Sequence, residues 1–102
     1  MPKFVKVACV TEIPPGAKKI VAVDGLEVVL VNLDDQLYAI EDVCTHDGGP
    51  LGEGQLRGHE LICPRHGARF DIRTGEATKM PAYEAAPTYQ VRVEGQDVLV
   101  EV

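Results

Sequence analysis

Two cysteines and two histidines stand in matched pairs, Cys44-Thr45-His46 and Cys63-Pro64-Arg65-His66, with sixteen residues between the pairs. Thiolate and imidazole are the side chains that bind zinc and the irons of iron–sulfur centres, so four such donors can complete one metal site. A C-x-H or C-x-x-H pair on a turn aims both side chains at one point, and two such arms brought together supply four ligands. Glycines follow each pair, Gly48-Gly49 in the first arm and Gly67 in the second. Glycine reaches positive φ and lets peptide N–H groups point at anionic sulfur.

Three uses of these residues compete. Free cysteines are among the most buried residue types and an isolated histidine is usually structural. Packing alone, however, does not generate paired spacing with flanking Gly and Pro. A structural zinc site also accepts two Cys and two His, but zinc fingers place both Cys in one short pair and both His in another. Here each arm carries one of each. A two-iron centre in which two Cys hold one iron and two His the other asks for this distribution. Of the remaining scarce residues, Cys9 lies alone in an apolar run and is expected in the core. His59, in Arg57-Gly58-His59-Glu60, is expected at an exposed turn.

The elements that must position the arms read as β-strands. Phe4 to Val10 is β-branched and roughly alternating. Ile20 to Val23 meets Asp24-Gly25, a hairpin dipeptide, and Leu26 to Leu33 returns. Asp34-Asp35 turns into Gln36 to Ile40. Near the other end Tyr89, Val91 and Val93 alternate with polar residues, and Gly95-Gln96 leads into Val98, Val100 and Val102. The one helical candidate, Val10 to Ile13, is stopped by Pro14-Pro15 and can be no more than a turn. Residues 43–71 differ: they hold six of the ten glycines and five of the six Cys and His residues. A stretch this rich in glycine is not a bare loop in a compact domain, so a cofactor is expected to organise it. Short strands are expected there at Glu60 to Ile62 and Ala68 to Asp71. The fold class expected is all-β, a small antiparallel sandwich or barrel.

The segments Cys44-Thr45-His46-Asp47-Gly48-Gly49-Pro50-Leu51 and Cys63-Pro64-Arg65-His66-Gly67-Ala68-Arg69-Phe70-Asp71 resemble Rieske-type ferredoxins. The resemblance implies one [2Fe–2S] cluster, with Cys44 and Cys63 on the inner iron and His46 and His66 on the outer iron at the tip of the domain. It implies a single Rieske domain over residues 1–102, with a cluster-binding subdomain at about 43–71 inserted between basal β segments 1–42 and 72–102. Pro81 resembles the proline loop that packs over the cluster, though an ordinary turn reads as well. High-potential members carry a disulfide at the positions of Gly49 and Arg65, and hydroxyl residues at those of Ala68 and Phe70. This chain can form neither the bond nor those hydrogen bonds to sulfur, so a potential nearer about −150 mV than +300 mV is expected.

Composition narrows the partners. The chain has 102 residues, 45% of them hydrophobic, and a net charge of −6, with no basic run beyond Lys18-Lys19. A phosphate-backbone binder needs a basic face, so nucleic acid is a poor partner, and an anionic membrane surface is equally poor. No apolar stretch approaches the roughly 20 residues of a membrane span. The N-terminal residues do not resemble a signal peptide, so a soluble cytoplasmic protein is expected. All of the excess acid lies outside residues 44–70, with Asp34, Asp35, Glu41 and Asp42 concentrated before the first arm. That concentration could steer a basic partner. The tip around the histidines is expected to be apolar, built from Pro50, Leu51 and Pro64, with Arg65 exposed.

No catalytic set is evident. The resemblance therefore implies a one-electron carrier, not an enzyme, passing electrons from a flavoprotein reductase to a terminal oxygenase of the aromatic-ring dioxygenase type. It is expected to be monomeric or weakly associating. Two alternatives stand beside it: the small Rieske-like subunit of an assimilatory NAD(P)H nitrite reductase, and a zinc-stabilised binding module.

Overall fold

The computed structural model describes residues 3–102; Met1 and Pro2, part of the N-terminus weighed as a leader, lie outside the described residues. Eleven strands follow in chain order: β1 (Phe4–Cys9), β2 (Lys18–Val23), β3 (Leu26–Leu33), β4 (Gln36–Glu41), β5 (Leu56–Arg57), β6 (Glu60–Ile62), β7 (Arg69–Asp71), β8 (Ala77–Lys79), β9 (Thr88–Tyr89), β10 (Val91–Glu94) and β11 (Asp97–Glu101). The only helical turn among the described residues is a 3₁₀ turn at Val10–Glu12, where the Cys9 N–H donates to the Glu12 carboxylate at 2.6 Å. Among the described residues no helix is long and apolar enough to cross a membrane. The fold is all-β and antiparallel, as expected.

The strands form three sheets, ordered β1-β11-β10, β2-β3-β4-β9 and β5-β6-β7-β8. The second sheet is the common layer, and β3 shows why. Val28-Val29-Leu30-Val31 is an unbroken apolar run, fully buried along its length. Because successive strand residues face opposite sides, Val28 and Leu30 enter a core with Ala8, Val98 and Val100 of the first sheet and Ile13 from the end of the 3₁₀ turn. Val29 and Val31 enter another core with Leu61, Phe70 and Ile72, the one that also holds Cys44 and Cys63. Removing such a side chain from water is worth about 1.5–3 kcal/mol.

Turn chemistry sets the register. Asp24 and Gly25 both take positive φ, +49° and +80°, so the two-residue turn matches the twist of β2 and β3, and Val23 pairs with Leu26. Asp34 and Asp35 make the same turn without glycine, at +52° and +71°. Buried Asn32 secures it by accepting the Asp35 N–H at 2.8 Å and donating to the Ile13 carbonyl at 2.7 Å.

Two expectations are corrected. Tyr89 and Val91 do not share a strand: β9 pairs with β4 in the second sheet and β10 with β11 in the first, the chain crossing between layers at Gln90. Cys9 is half-buried at the end of an outer strand, outside both cores. The small third sheet continues to β8, which pairs with the free edge of β7.

The third sheet is pinned by Asp71. Its side chain accepts from the Arg73 N–H at 2.9 Å, from Nε at 3.0 Å and from Nη2 at 2.9 Å, and is 10% exposed. The Arg73 guanidinium holds the Asp71 carboxyl below the usual carboxylate range against the opposing effect of burial. A depressed carboxylate stabilises the fold above its unfolded pKa, and that contribution is lost as pH falls through the folded value. Asp71→Asn is therefore expected to cost about 1 kcal/mol near neutral pH. In urea unfolding, its difference from the wild type should narrow as pH drops below about 4. A difference independent of pH would contradict the assignment.

Candidate metal centre

Each arm is a ring closed by its own backbone. In the first, the Cys44 N–H donates to the Gly49 carbonyl at 2.8 Å and the Gly48 N–H to the Cys44 carbonyl at 2.7 Å. In the second, Cys63 donates to Ala68 at 2.7 Å and Gly67 to Cys63 at 3.1 Å. The fifth residue of each ring takes the left-handed region, Gly48 at +75° and Gly67 at +76°, which explains glycine at both places. Two six-residue rings of one design thus present a cysteine at their first position.

The sulfurs point inward and the imidazoles outward. Cys44 is 0% and Cys63 1% exposed, and both are free thiols. The His46 and Asp47 N–H groups face the Cys44 sulfur and favour its anion, as the Arg65 and His66 N–H groups do for that of Cys63. Burial pushes the Cys44 thiol up. Burial opposes ionisation of Cys63 too, but the two backbone donors, the Cys44 thiol and the Arg65 charge outweigh it, and Cys63 is the more acidic of the pair. His46 and His66 are exposed, their ring centroids 5.0 Å apart and their planes at 87°. The four donors picked out by spacing are thus brought to one place. Cys9 and His59 lie elsewhere, His59 at the exposed β5–β6 turn with Nε2 3.8 Å from Asp71.

The donor set fits a [2Fe–2S] cluster with mixed ligands. Two buried sulfurs, each facing two peptide N–H groups, suit an anionic inner half. Two exposed imidazoles suit an outer half reached from solvent. Asp47 also sits among potential ligands, with a carboxylate oxygen, Cys63 Sγ and a His66 ring nitrogen all within 4.8 Å of one another. Its oxygens are already engaged by the Arg65 guanidinium at 2.6 and 3.0 Å, which removes it from the donor set. Arg65 holds the Asp47 carboxyl well below the usual carboxylate range.

Other contacts seat the arms. Asp42 Oδ1 accepts from the Leu51 and Gly52 N–H groups at 2.7 and 2.6 Å, fixing the exit of the first arm. Tyr89 donates to Glu41 at 2.7 Å, and burial with that bond pushes the tyrosine up to about 12. Two of the four acids read as a steering patch are thus committed internally. Leu51, expected at the tip, is fully buried beneath the arms. Two strongly exposed apolar residues that sequence reasoning missed, Met80 and Tyr83, stand on a loop held to the first arm by Thr45 Oγ1 donating to the Glu84 carbonyl at 2.6 Å. That loop contains a cis Met80–Pro81 peptide and buries Ala82 and Ala86 in the core that also holds the two cysteines.

Gly54 supports the second arm. A Cβ there would stand 1.7 Å from the Ile62 carbonyl oxygen, immediately before Cys63. Gly54→Ala is expected to destabilise the protein by about 1–3 kcal/mol, read as a lowered unfolding midpoint. An unchanged midpoint would show that the backbone yields freely at this point.

Comparison with known proteins agrees with this geometry. A family model described as the Rieske [2Fe-2S] domain matches residues 3–90. The ferredoxin component of a naphthalene 1,2-dioxygenase system from Pseudomonas aeruginosa is 36% identical over 100 residues, covering 98% of this chain and 96% of the relative. Among solved structures, the ferredoxin of carbazole 1,9a-dioxygenase from Nocardioides aromaticivorans IC177 superimposes with a TM-score of 0.91 at 37% identity, covering 96% of each chain. A chain from a complex of reduced oxygenase and oxidised ferredoxin in carbazole 1,9a-dioxygenase gives a TM-score of 0.89 at 33% identity, covering 95% of this chain and 91% of its own.

Proposed function

Since the chain belongs to the Rieske [2Fe-2S] domain family, we propose that it is the ferredoxin of a multicomponent aromatic-ring dioxygenase system, taking electrons from a flavoprotein reductase and delivering them to a terminal oxygenase. The observation that carries this reading is the pair of exposed imidazoles beside two buried sulfurs that face peptide N–H groups. We assign Cys44 and Cys63 to the inner iron and His46 and His66 to the outer. The cluster supplies storage and release of one electron at a time. The protein's own residues do the rest. The peptide N–H groups of His46, Asp47, Arg65 and His66 offset negative charge at the sulfurs. The exposed imidazole edges bring the outer half of the site within reach of a docked partner. The chain performs no substrate chemistry of its own.

We divide the chain into the cluster-binding segment and a basal β scaffold, and place it as a monomeric or weakly associating carrier in the cytoplasm. The test is single-turnover mixing of the reduced protein with an oxidised ring-hydroxylating oxygenase under anaerobic conditions. Transfer should follow on mixing and weaken when Met80 and Tyr83 are replaced by glutamate. No transfer to any oxygenase of this type would overturn the reading. Redox titration should place the potential near about −150 mV, at the low end for this cluster type. A value clearly above zero would contradict the role given to apolar Ala68 and Phe70.

A further inference from the structure

We infer that Arg65 and Asp47 form a clasp that sets the two arms in register, making Arg65 a positioning residue for the His46–His66 pair. Among the described residues no backbone hydrogen bond crosses from one arm to the other, since each ring closes on itself. Arg65 crosses. Nε and Nη2 donate to the two oxygens of Asp47 at 2.6 and 3.0 Å, and Nη1 donates to the Pro50 carbonyl at 2.7 Å. One side chain of the second arm therefore grips the first arm on both sides of Gly48-Gly49. The same carboxylate accepts the Gly49 N–H at 2.9 Å and lies 3.5 Å from His66 Nδ1. A Cβ on Gly49 would stand 2.9 Å from the guanidinium carbon, so glycine at this position leaves room for the fork.

The sequence of the rings explains the arrangement. Counting from each cysteine, histidine is third in the first ring and fourth in the second. The positions that match the two histidines are therefore Arg65, third in its ring, and Asp47, fourth in its ring. The one-residue offset that lets two imidazoles meet leaves two places whose side chains must also meet. Opposite charges occupy them. A planar fork with three oxygen acceptors fixes direction as well as distance, which a lysine ammonium cannot do. The pair is 33% and 24% exposed at its side chains, more sheltered than a freely solvated surface pair.

The inference rests on the ligand set proposed above, and its test separates the two. Loss of the cluster from the intact protein to an iron chelator is followed by visible absorbance for the wild type, Arg65→Gln, Asp47→Asn, the double variant and Arg65→Lys. Each neutral single variant should lose the cluster about tenfold faster, and the double no faster than either single. Arg65→Lys should recover only part of the loss. The single variants should also show altered EPR anisotropy after reduction, because the imidazoles are no longer held in one orientation. Single effects that multiply to about a hundredfold in the double, or an unchanged rate and spectrum, would overturn the clasp. A wild type lacking visible bands would overturn the ligand set instead. The same proteins would then be read by amide exchange at Cys63 and Gly67, where non-additive acceleration supports the clasp and none overturns it.

Discussion

Replacing Cys63 by serine is expected to give a chain without visible colour, without an EPR signal after reduction and with iron reduced to background. The side chain is 1% exposed and faces the N–H groups of Arg65 and His66, a setting that favours an anion. A thiol ionises near pH 8.5 when free and lower beside such donors, whereas a serine hydroxyl stays protonated and is a poor ligand for iron. The loss should be near complete, since the inner iron would keep one protein thiolate where it needs two. Cys9→Ser and His59→Ala serve as controls. Cys9 stands half-buried at the end of β1 and His59 at the β5–β6 turn, so both variants should retain wild-type iron content. An unchanged spectrum in Cys63→Ser would remove the assignment.

Adding hydroxyls beside the cysteines should raise the reduction potential. Ala68 and Phe70 are both fully buried, in the same core as Cys44 and Cys63, and neither offers a hydrogen to sulfur. Reduction adds negative charge, so a new donor stabilises the reduced form more than the oxidised one. A hydrogen bond about 1.5 kcal/mol stronger to the reduced site than to the oxidised one corresponds, for one electron, to about 60 mV. Ala68→Ser and Phe70→Tyr should each shift the potential upward by about that amount, and the double variant by more than either alone. Redox titration with optical detection reads this directly. A downward shift, or none with the cluster intact, would mean that hydrogen bonding to sulfur does not set the potential here.

The parts of the fold that could be read in advance were those fixed by local chemistry. Asp24-Gly25 demands positive φ at two successive residues, and β2 and β3 pair across it without an offset. The four donors were readable because ligand type and spacing constrain metal sites strongly. What could not be read depended on contacts distant in sequence. Alternation at Tyr89 and Val91 tells which face each residue uses, but not that the chain changes sheets at Gln90. Leu51 follows an exposed proline in a polar stretch, and only the closing of the arm by Asp42 turns it inward. Asp47 and Arg65 are charged residues in a glycine-rich segment, which reads as solvated surface. Their matched positions in the two rings were the available signal, one that becomes visible once the rings are superimposed.

The most direct measurement is anaerobic purification of the protein followed by iron, sulfide and zinc analysis and EPR before and after dithionite. The account predicts a red-brown protein with about two irons and two sulfides per chain, and a signal that appears only on reduction. A colourless protein with about one zinc per chain and no signal would contradict it.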